Sequence, residues 1–138
     1  MAKIKVFLDT DVIISSLLSQ KGASFEIINN KKIKKIISKI LKSEVEEVVK
    51  RLSIKKSPWL KNIETVSLNL SKKKLLKDYS AYVFDQKDSH VIAGAKLSNS
   101  RFLLTHNTKH YNILRIKNGL EIVVMKPGVF LQYLRSKK

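Results

Sequence analysis

Residues 4–11 read IKVFLDTD, and this stretch decides the fold class. Its first five residues form a short, nearly continuous apolar run, which is typical of a strand buried on both faces of a parallel sheet. Asp9 follows that strand directly, and Asp11 comes two residues later. A carboxylate at a buried strand end is costly unless it is hydrogen-bonded, paired or bound to a metal. Asp9 is therefore a candidate functional residue, whereas Asp11 better fits a cap of the following helix.

Strands and helices alternate along the rest of the chain. Ser38 is a plausible N-cap, Gly119 a plausible helix stop, and Pro127 a plausible first helical residue. The alternation predicts a three-layer α/β/α fold with a mainly parallel sheet of about five strands. We expect a single domain over residues 1–138. The further predicted strands are 34–37, 63–68, 101–105 and 120–125, and the predicted helices are 12–18, 23–30, 39–52, 72–83, 88–98, 108–116 and 127–135.

The charge balance points to a polyanionic partner. The chain has 28 Lys and Arg against 11 Asp and Glu, a net charge of +17 over 138 residues. Lysines that neutralise phosphates release condensed counterions, which favours nucleic-acid binding. A lysine-rich surface can equally reflect codon bias or adaptation to heat. Charge alone therefore leaves nucleic-acid binding open.

Composition excludes several other classes of protein. The chain has no cysteine, so disulfides, thiolate zinc sites and cysteine nucleophiles are absent. No apolar run approaches 18 residues, so no membrane span is expected. The first residues reach Asp9 after only three consecutive apolar residues, which is too short for a signal-peptide core. We therefore expect a cytoplasmic protein that does not enter the membrane.

Because acids are scarce, their positions are informative. Seven of the 11 fall in three clusters, at 9/11, 44/46/47 and 85/88. In the helix predicted after Ser38, Glu44 is the acid nearest to the apolar stripe, so it lies at the edge of the core. Glu46 and Glu47 lie further round the helix and are expected to be solvated. Glu44 is therefore the candidate of its cluster, although a surface glutamate beside a stripe is common.

The third cluster lies where the 88–98 helix begins. Asp88 shares a helical face with the apolar Val91 and Ile92, so it points inward at the first turn. It can cap the helix and still direct its carboxylate past the helix end. Asp85 is as consistent with a turn residue as with a ligand. His90 lies opposite the apolar face and is expected to be exposed.

Small polar residues follow the strand predicted at 101–105. Thr105 and Asn107 stand at its carboxyl end, where a hydroxyl or amide could orient a water or a metal-bound phosphate, although both are also ordinary loop residues. His106 and His110 could ligate a transition metal, but no third ligand converges on them. Three separated carboxylates at converging element ends instead suit Mg²⁺ or Mn²⁺, which prefer oxygen ligands and retain several waters. Those carboxylates are Asp9, Glu44 and Asp88.

Taken together, these segments resemble the PIN-domain ribonucleases, and in particular the small VapC-like toxins of toxin–antitoxin pairs. The resemblance covers nearly the whole chain in the family's order. The segments that carry it are VFLDTDVIIS (6–15), ISKILKSE (37–44), DQKDSHVIAGA (85–95), FLLTHN (102–107) and KPGVFL (126–131).

The resemblance implies a metal-dependent endoribonuclease that hydrolyses RNA phosphodiester bonds. Asp9, Glu44 and Asp88 would be catalytic and would hold one or two Mg²⁺ or Mn²⁺, with Asp11 as a further candidate ligand. Thr105 and Asn107 would be the other catalytic residues, orienting a water or the scissile group. It also implies an antitoxin protein as partner and a homodimer. Lys109 and Tyr111 neighbour the last motif and are candidate RNA contacts.

One departure from the family keeps an alternative function open. The family often has Asp where this chain has Asn107, and the amide keeps an oxygen but lacks the charge. Metal binding could be weaker, and a non-catalytic PIN-fold module that only binds nucleic acid is an alternative.

A second alternative starts from the first motif. The run Asp9-Thr10-Asp11 also resembles the first motif of haloacid-dehalogenase-like phosphatases. In those proteins the acidic pair comes late, whereas here Asp85 and Asp88 precede Thr105, which is the wrong order.

Overall fold

The computed structural model describes residues 3–55 and 58–137, so the predicted domain of residues 1–138 extends slightly beyond the described ranges. Five parallel strands form one sheet, in the order β3-β2-β1-β4-β5. β2 and β3 therefore lie on one side of β1, and β4 and β5 lie on the other side. Strand order reverses between β1 and β4. The strands are β1 (Ile4–Leu8), β2 (Ile33–Ser38), β3 (Ile63–Val66), β4 (Phe102–Leu104) and β5 (Val123–Met125).

Helices cover both faces of the sheet, which confirms the predicted three-layer α/β/α fold. Short 3₁₀ helices lie at Trp59–Asn62, Ser80–Tyr82, Gln86–Asp88 and Thr108–His110. The α-helices are α1 (Thr10–Leu18), α2 (Ala23–Ile28), α3 (Lys39–Arg51), α4 (Lys72–Tyr79), α5 (Ser89–Leu97), α6 (Ile113–Leu120) and α7 (Pro127–Ser136). Among the described helices, none is long and apolar enough to cross a membrane.

The two faces of the sheet bury different aromatic side chains. Phe7 of β1 is in register with Leu103 of β4, so these two side chains point to the same face of the sheet. Phe102 precedes Leu103 in β4 and therefore points to the opposite face. Phe7 is fully buried against α5, where Gly94 leaves room for its ring. On the other face Phe102 packs against Phe130 and Tyr133 of α7, with ring centroids 5.2 Å apart in both pairs.

A buried lysine ties β2 to α2. Lys35 is only 3% exposed, and its Nζ donates hydrogen bonds of 2.8 Å to the carbonyls of Ile28 and Asn30. These carbonyls lie at the end of α2, where helical acceptors have no partner within the helix. The lysine therefore supplies donors that the end of the helix lacks.

The helix predicted at 108–116 is displaced along the chain. A 3₁₀ turn occupies Thr108–His110, and α6 begins only at Ile113, where the Asn112 side chain accepts a hydrogen bond from the Arg115 N–H. The predicted stop, Gly119, lies inside α6, which ends instead at Glu121 in the left-handed conformation (φ 58°). A Cβ on Gly119 would stand 3.0 Å from the Tyr82 hydroxyl, so this glycine serves a close approach between elements.

Candidate functional site

Asp9 is the hub of a hydrogen-bond network at the carboxyl end of β1. It is the N-cap of α1, and its Oδ1 accepts the N–H of Thr10 at 2.8 Å. Its Oδ2 accepts the hydroxyls of Thr105 at 2.9 Å and Tyr111 at 2.7 Å. The capping role expected for Asp11 therefore belongs to Asp9. Three donors hold this carboxylate in place at the strand end.

Asp11 lies in the first turn of α1 and faces the segment that follows β4. Its Oδ2 accepts Nδ2 of Asn107 at 2.8 Å, and the backbone N–H of His106 lies 3.2 Å from both of its oxygens. Burial and the nearby charge of Asp9 raise the pKa of Asp11 in spite of these donors. Asp9 and Asp11 thus stand close enough to repel each other.

Glu44 reaches the same region from α3. Its Oε1 accepts the hydroxyl of Thr10 at 3.1 Å, and its Oε2 lies 3.0 Å from Nε2 of His90. Burial alone would raise the pKa of Glu44, but the hydrogen bond and charge of His90, together with Thr10, lower it below its usual value. Glu44 is therefore held ionised by two fixed partners.

His90 was predicted to be exposed, and this is wrong. Its exposed fraction is 8%, because every residue of α5 from Ser89 to Ala95 is buried. The stretch SHVIAGA contains three small residues, Ala93, Gly94 and Ala95, and no acid or lysine. That composition is the signal for a helix buried on all sides, and an amphipathic interpretation of α5 missed it.

Asp88 occupies the N-cap position of α5 but makes no capping hydrogen bond with its side chain. Its Oδ2 lies 3.8 Å from Nδ1 of His110. Burial and the charge of Asp9 raise the pKa of Asp88, and His110 opposes that shift. The carboxylate therefore points past the helix end toward the other acids.

These carboxylates converge on one pocket at the carboxyl edge of the sheet, beside the point where strand order reverses. Asp9, Asp11, Glu44, Asp88 and Asn107 all line it. Thr105 is fully buried behind them and reaches the pocket through its bond to Asp9. The other polar lining residues are Thr10, Glu47, Arg51 and His110. No pattern in the sequence indicated Thr10 or Arg51, whereas His110 was suggested only as a candidate transition-metal ligand and Glu47 only as a solvated residue.

Tyr111 was predicted to be a candidate RNA contact, but its side chain does not lie at the surface. Its exposed fraction is 3%, and its hydroxyl donates to Asp9. Burial and the negative charge of Asp9 raise the pKa of the phenol, so it keeps its proton and remains a donor. Its contact with Asp9 spans 102 residues of sequence, which no local pattern could indicate.

The donor set fits a hard divalent cation. It consists of carboxylate oxygens. Burial and then the charge of Asp9 raise the pKa values of Asp11 and Asp88, and a bound cation would relieve that repulsion. As the side chains stand, no three His, Asp or Glu of residues 3–55 and 58–137 are arranged to hold one ion by themselves. Water would therefore complete the coordination, as it commonly does for Mg²⁺.

Comparisons with known proteins agree with this architecture. One similar solved structure is VapBC2 from Rickettsia felis bound to a promoter DNA fragment, with a TM-score of 0.56 and 13% identity over 89% of this chain and 98% of that chain. A toxin–antitoxin complex from Klebsiella pneumoniae has a TM-score of 0.63 and 17% identity over 88% and 97%. At such identities the likeness shows the fold alone. A comparison with curated proteins found no match.

Residues 5–109 match the PIN domain family, and this range includes Asp9, Glu44, Asp88 and Asn107. The match favours that family over the haloacid-dehalogenase-like alternative. Because it spans well over half of the chain and the fold agrees, this protein belongs to the PIN-domain family, whose members are generally nucleases that depend on divalent metal ions.

Proposed function

We propose that the protein is an endoribonuclease that uses Mg²⁺ or Mn²⁺ to hydrolyse RNA phosphodiester bonds, and that it is the toxin of a toxin–antitoxin pair. The observation that carries the proposal is the convergence of Asp9, Asp11, Glu44 and Asp88 on one pocket. Carboxylates that share a pocket repel one another and are costly to gather, so a structural role alone gives them little reason to meet.

The metal ligands in this proposal are Asp9, Glu44 and Asp88, with Asp11 as a fourth acid beside them. A bound divalent cation would lower the pKa of a bound water and neutralise charge that develops on the phosphate. Thr105 fixes the Asp9 carboxylate from behind, and Asn107 fixes Asp11.

Two basic side chains line the pocket beside the acids. They are Arg51 and His110. A guanidinium can bind a phosphate through two parallel hydrogen bonds, so Arg51 is the natural anchor for the RNA backbone. Lys109 lies beside His110 in the sequence and is a further candidate backbone contact.

The toxin assignment rests on the solved relatives. One is a VapBC2 complex and the other a toxin–antitoxin complex, and both share the fold over most of this chain. We therefore propose a small antitoxin protein and a second copy of this chain as partners. Expression of the chain alone should arrest growth, and co-expression with a small antitoxin-like gene adjacent to its own should relieve the arrest.

The direct test is cleavage of structured and single-stranded RNA with Mg²⁺, with Mn²⁺ or with EDTA. Asp9→Asn, Glu44→Gln and Asp88→Asn each remove one charge without changing the size of the side chain, and each should abolish or strongly reduce cleavage. Glu46→Gln is the matched control for Glu44, since Glu46 is exposed on the same helix and outside the pocket. Asp78→Asn on α4 serves the same purpose for Asp88.

A specific observation keeps the non-catalytic alternative in the test. Asn107 supplies an amide where the family often has an acid, and its Nδ2 donates to Asp11 instead of adding a charge. If the chain binds RNA with both metals but cleaves none, and Asp9→Asn binds equally well, the binding module replaces the nuclease proposal.

A further inference from the structure

The two edges of the sheet carry opposite charge. The pocket at the carboxyl edge is lined by five of the chain's 11 acidic residues. Three depressions line the opposite, amino edge, and together they contain ten Lys or Arg side chains and two acids. A large part of the excess positive charge therefore lies at the edge of the sheet opposite the proposed active site.

The first depression lies below β2 and β3. The lysines that line it are Lys3, Lys31, Lys34, Lys35 and Lys61. Its one acid is Glu64, which lies 3.6 Å from Lys34 and offsets that lysine alone. Lys35 is buried and donates to backbone carbonyls, so Lys3, Lys31 and Lys61 remain exposed without an acidic partner in this depression.

The second depression lies below β1 and β4, in the middle of the sheet. Lys3, Lys5, Arg101 and Lys137 line it, and no acid does. Lys137 stands 5.0 Å from the ring of Tyr133, which also lines the depression. The aromatic ring restrains the ammonium group while leaving it charged.

The third depression lies below β4 and β5. Lys96, Arg101 and Lys117 line it together with Glu121. Neighbouring depressions share side chains, because Lys3 belongs to the first and second and Arg101 to the second and third. In the order of the strands, the three depressions therefore lie side by side along the amino edge, and we call them together the amino-edge groove.

We propose that the amino-edge groove binds the sugar–phosphate backbone of a nucleic acid, at a site separate from the acidic pocket. Five strands at the usual spacing of about 4.8 Å make the groove roughly 19 Å long, enough for several consecutive phosphates. Its charges are mostly lysines, which contact phosphates as mobile point charges and carry no base readout. The expected binding is therefore salt-dependent and tolerant of sequence.

This proposal does not depend on cleavage at the carboxyl edge. A groove on the opposite side of the sheet can hold a distant part of the substrate RNA or a separate nucleic acid. The shared chemistry is the phosphodiester backbone, and the choice between RNA and DNA is left to the arms of the experiment. Because the whole chain is basic, the sharp question is whether the location of the charge matters or only its total.

The test compares two variants of equal net charge. The groove variant is K31Q/K61Q/R101Q, with two changes in the first depression and one at the side chain shared by the second and third. The control variant is K72Q/K73Q/K77Q on α4, whose three lysines are exposed and line none of the three depressions. Both variants lower the charge of the chain equally.

Affinity is measured by fluorescence anisotropy at several salt concentrations in EDTA, which prevents metal-dependent cleavage. The probes are one sequence as labelled single-stranded RNA, single-stranded DNA and duplex DNA. The groove variant should bind at least about tenfold more weakly than wild type, and the slope of log K against log salt should fall by about 2 for single strands. The control variant should lose less than about threefold.

Equal losses in the two variants would overturn the proposal, because net charge alone would then explain binding. An unchanged affinity of the groove variant would overturn it as well.

A readout that needs no variant is lysine acetylation of the wild-type chain with and without the RNA. Protection of Lys31, Lys61 and Lys117 over the lysines of α4 supports the groove, and uniform protection contradicts it.

The failure of this proposal is distinguishable from failure of the proposed function. The groove variant retains every residue of the acidic pocket, so its cleavage of a short RNA in Mn²⁺ reports on that pocket separately. A chain that binds through the groove but cleaves nothing retains this inference and loses the nuclease. If the chain cleaves RNA but the groove variant binds as tightly as wild type, the nuclease proposal stands and this inference fails.

Discussion

Nε2 of His90 lies 3.0 Å from Oε2 of Glu44, joining α5 to α3 across 46 residues of sequence. A carboxylate oxygen can only accept, so the ring carries its proton on Nε2. The other ring nitrogen, Nδ1, is buried without a partner in the described part of the chain. The ring therefore makes a single polar contact there, and that contact orients a proposed metal ligand.

The first prediction concerns His90 as a positioning residue. His90→Leu should lower kcat in Mn²⁺ by about 10–100-fold, the usual cost of losing a partner that orients a metal ligand. It should cost little stability, because an apolar side chain replaces a buried ring that has an unpaired nitrogen. His90→Gln can still donate to Glu44 and should restore part of the rate.

The measurements are single-turnover RNA cleavage, Mn²⁺ affinity and urea unfolding on the same preparations. A merely structural histidine would lower the free energy of unfolding in both variants and leave Mn²⁺ affinity unchanged. That pattern would contradict the positioning role.

Local patterns in the sequence were sufficient for the fold. The apolar run of β1 and the Ser38 cap of α3 are local signals, and both elements lie where those signals place them. Asp9 and Asp88 also follow local logic, since each stands at the boundary of a buried element. Parallel topology then brings such boundaries to one edge of the sheet, which is why the acids could be predicted to meet.

The partners of these acids could not be predicted in the same way. Tyr111 and His90 each contact an acid over a long sequence separation. The composition of residues 89–95 indicates that His90 is buried, but no local pattern indicates which acid either side chain contacts. Only the packing of α5 and of the segment before α6 decides which acid each one reaches.

The second prediction concerns the hydroxyl that supports Asp9. Tyr111→Phe removes the 2.7 Å hydrogen bond to Oδ2 and leaves the bonds from Thr10 and Thr105. Hydrogen bonds to charged groups contribute about 1.5–3 kcal/mol, so the free energy of unfolding in EDTA should fall by about that amount. Urea unfolding measures this free energy.

Tyr133→Phe is the control, because the Tyr133 hydroxyl makes no hydrogen bond within residues 3–55 and 58–137. A loss of stability equal in both variants would contradict a specific role for the Asp9 contact.

The third prediction concerns the departure from the family at position 107. Asn107→Asp replaces a donor 2.8 Å from Asp11 by a further carboxylate. In EDTA this should destabilise the chain by about 1 kcal/mol, since a half-buried acceptor loses its partner and like charges meet. A divalent cation neutralises that repulsion, so the Tm increase on adding Mn²⁺ should be larger than in wild type.

Thermal unfolding with EDTA and with increasing Mn²⁺ gives both quantities. Asn62→Asp adds the same charge at an exposed position outside the pocket and should leave the Mn²⁺ response unchanged. If Asn107→Asp responds to Mn²⁺ no more than wild type, position 107 does not contribute to the metal site.

The last prediction concerns the glycine under the ring of Phe7. A Cβ at Gly94 would overlap the ring, which is fully buried between α5 and the sheet and cannot move aside without shifting its neighbours. Gly94→Ala should therefore lower the free energy of unfolding by about 1–3 kcal/mol, even though alanine favours a helix by about 1 kcal/mol. Gly128 in α7 is the matched control, because nothing lies within 4 Å of a Cβ built there, and Gly128→Ala should be neutral or stabilising. Urea unfolding of the two variants and of wild type measures the free energy of unfolding of each. If Gly94→Ala is as stable as Gly128→Ala, α5 does not approach β1 as closely as this packing requires.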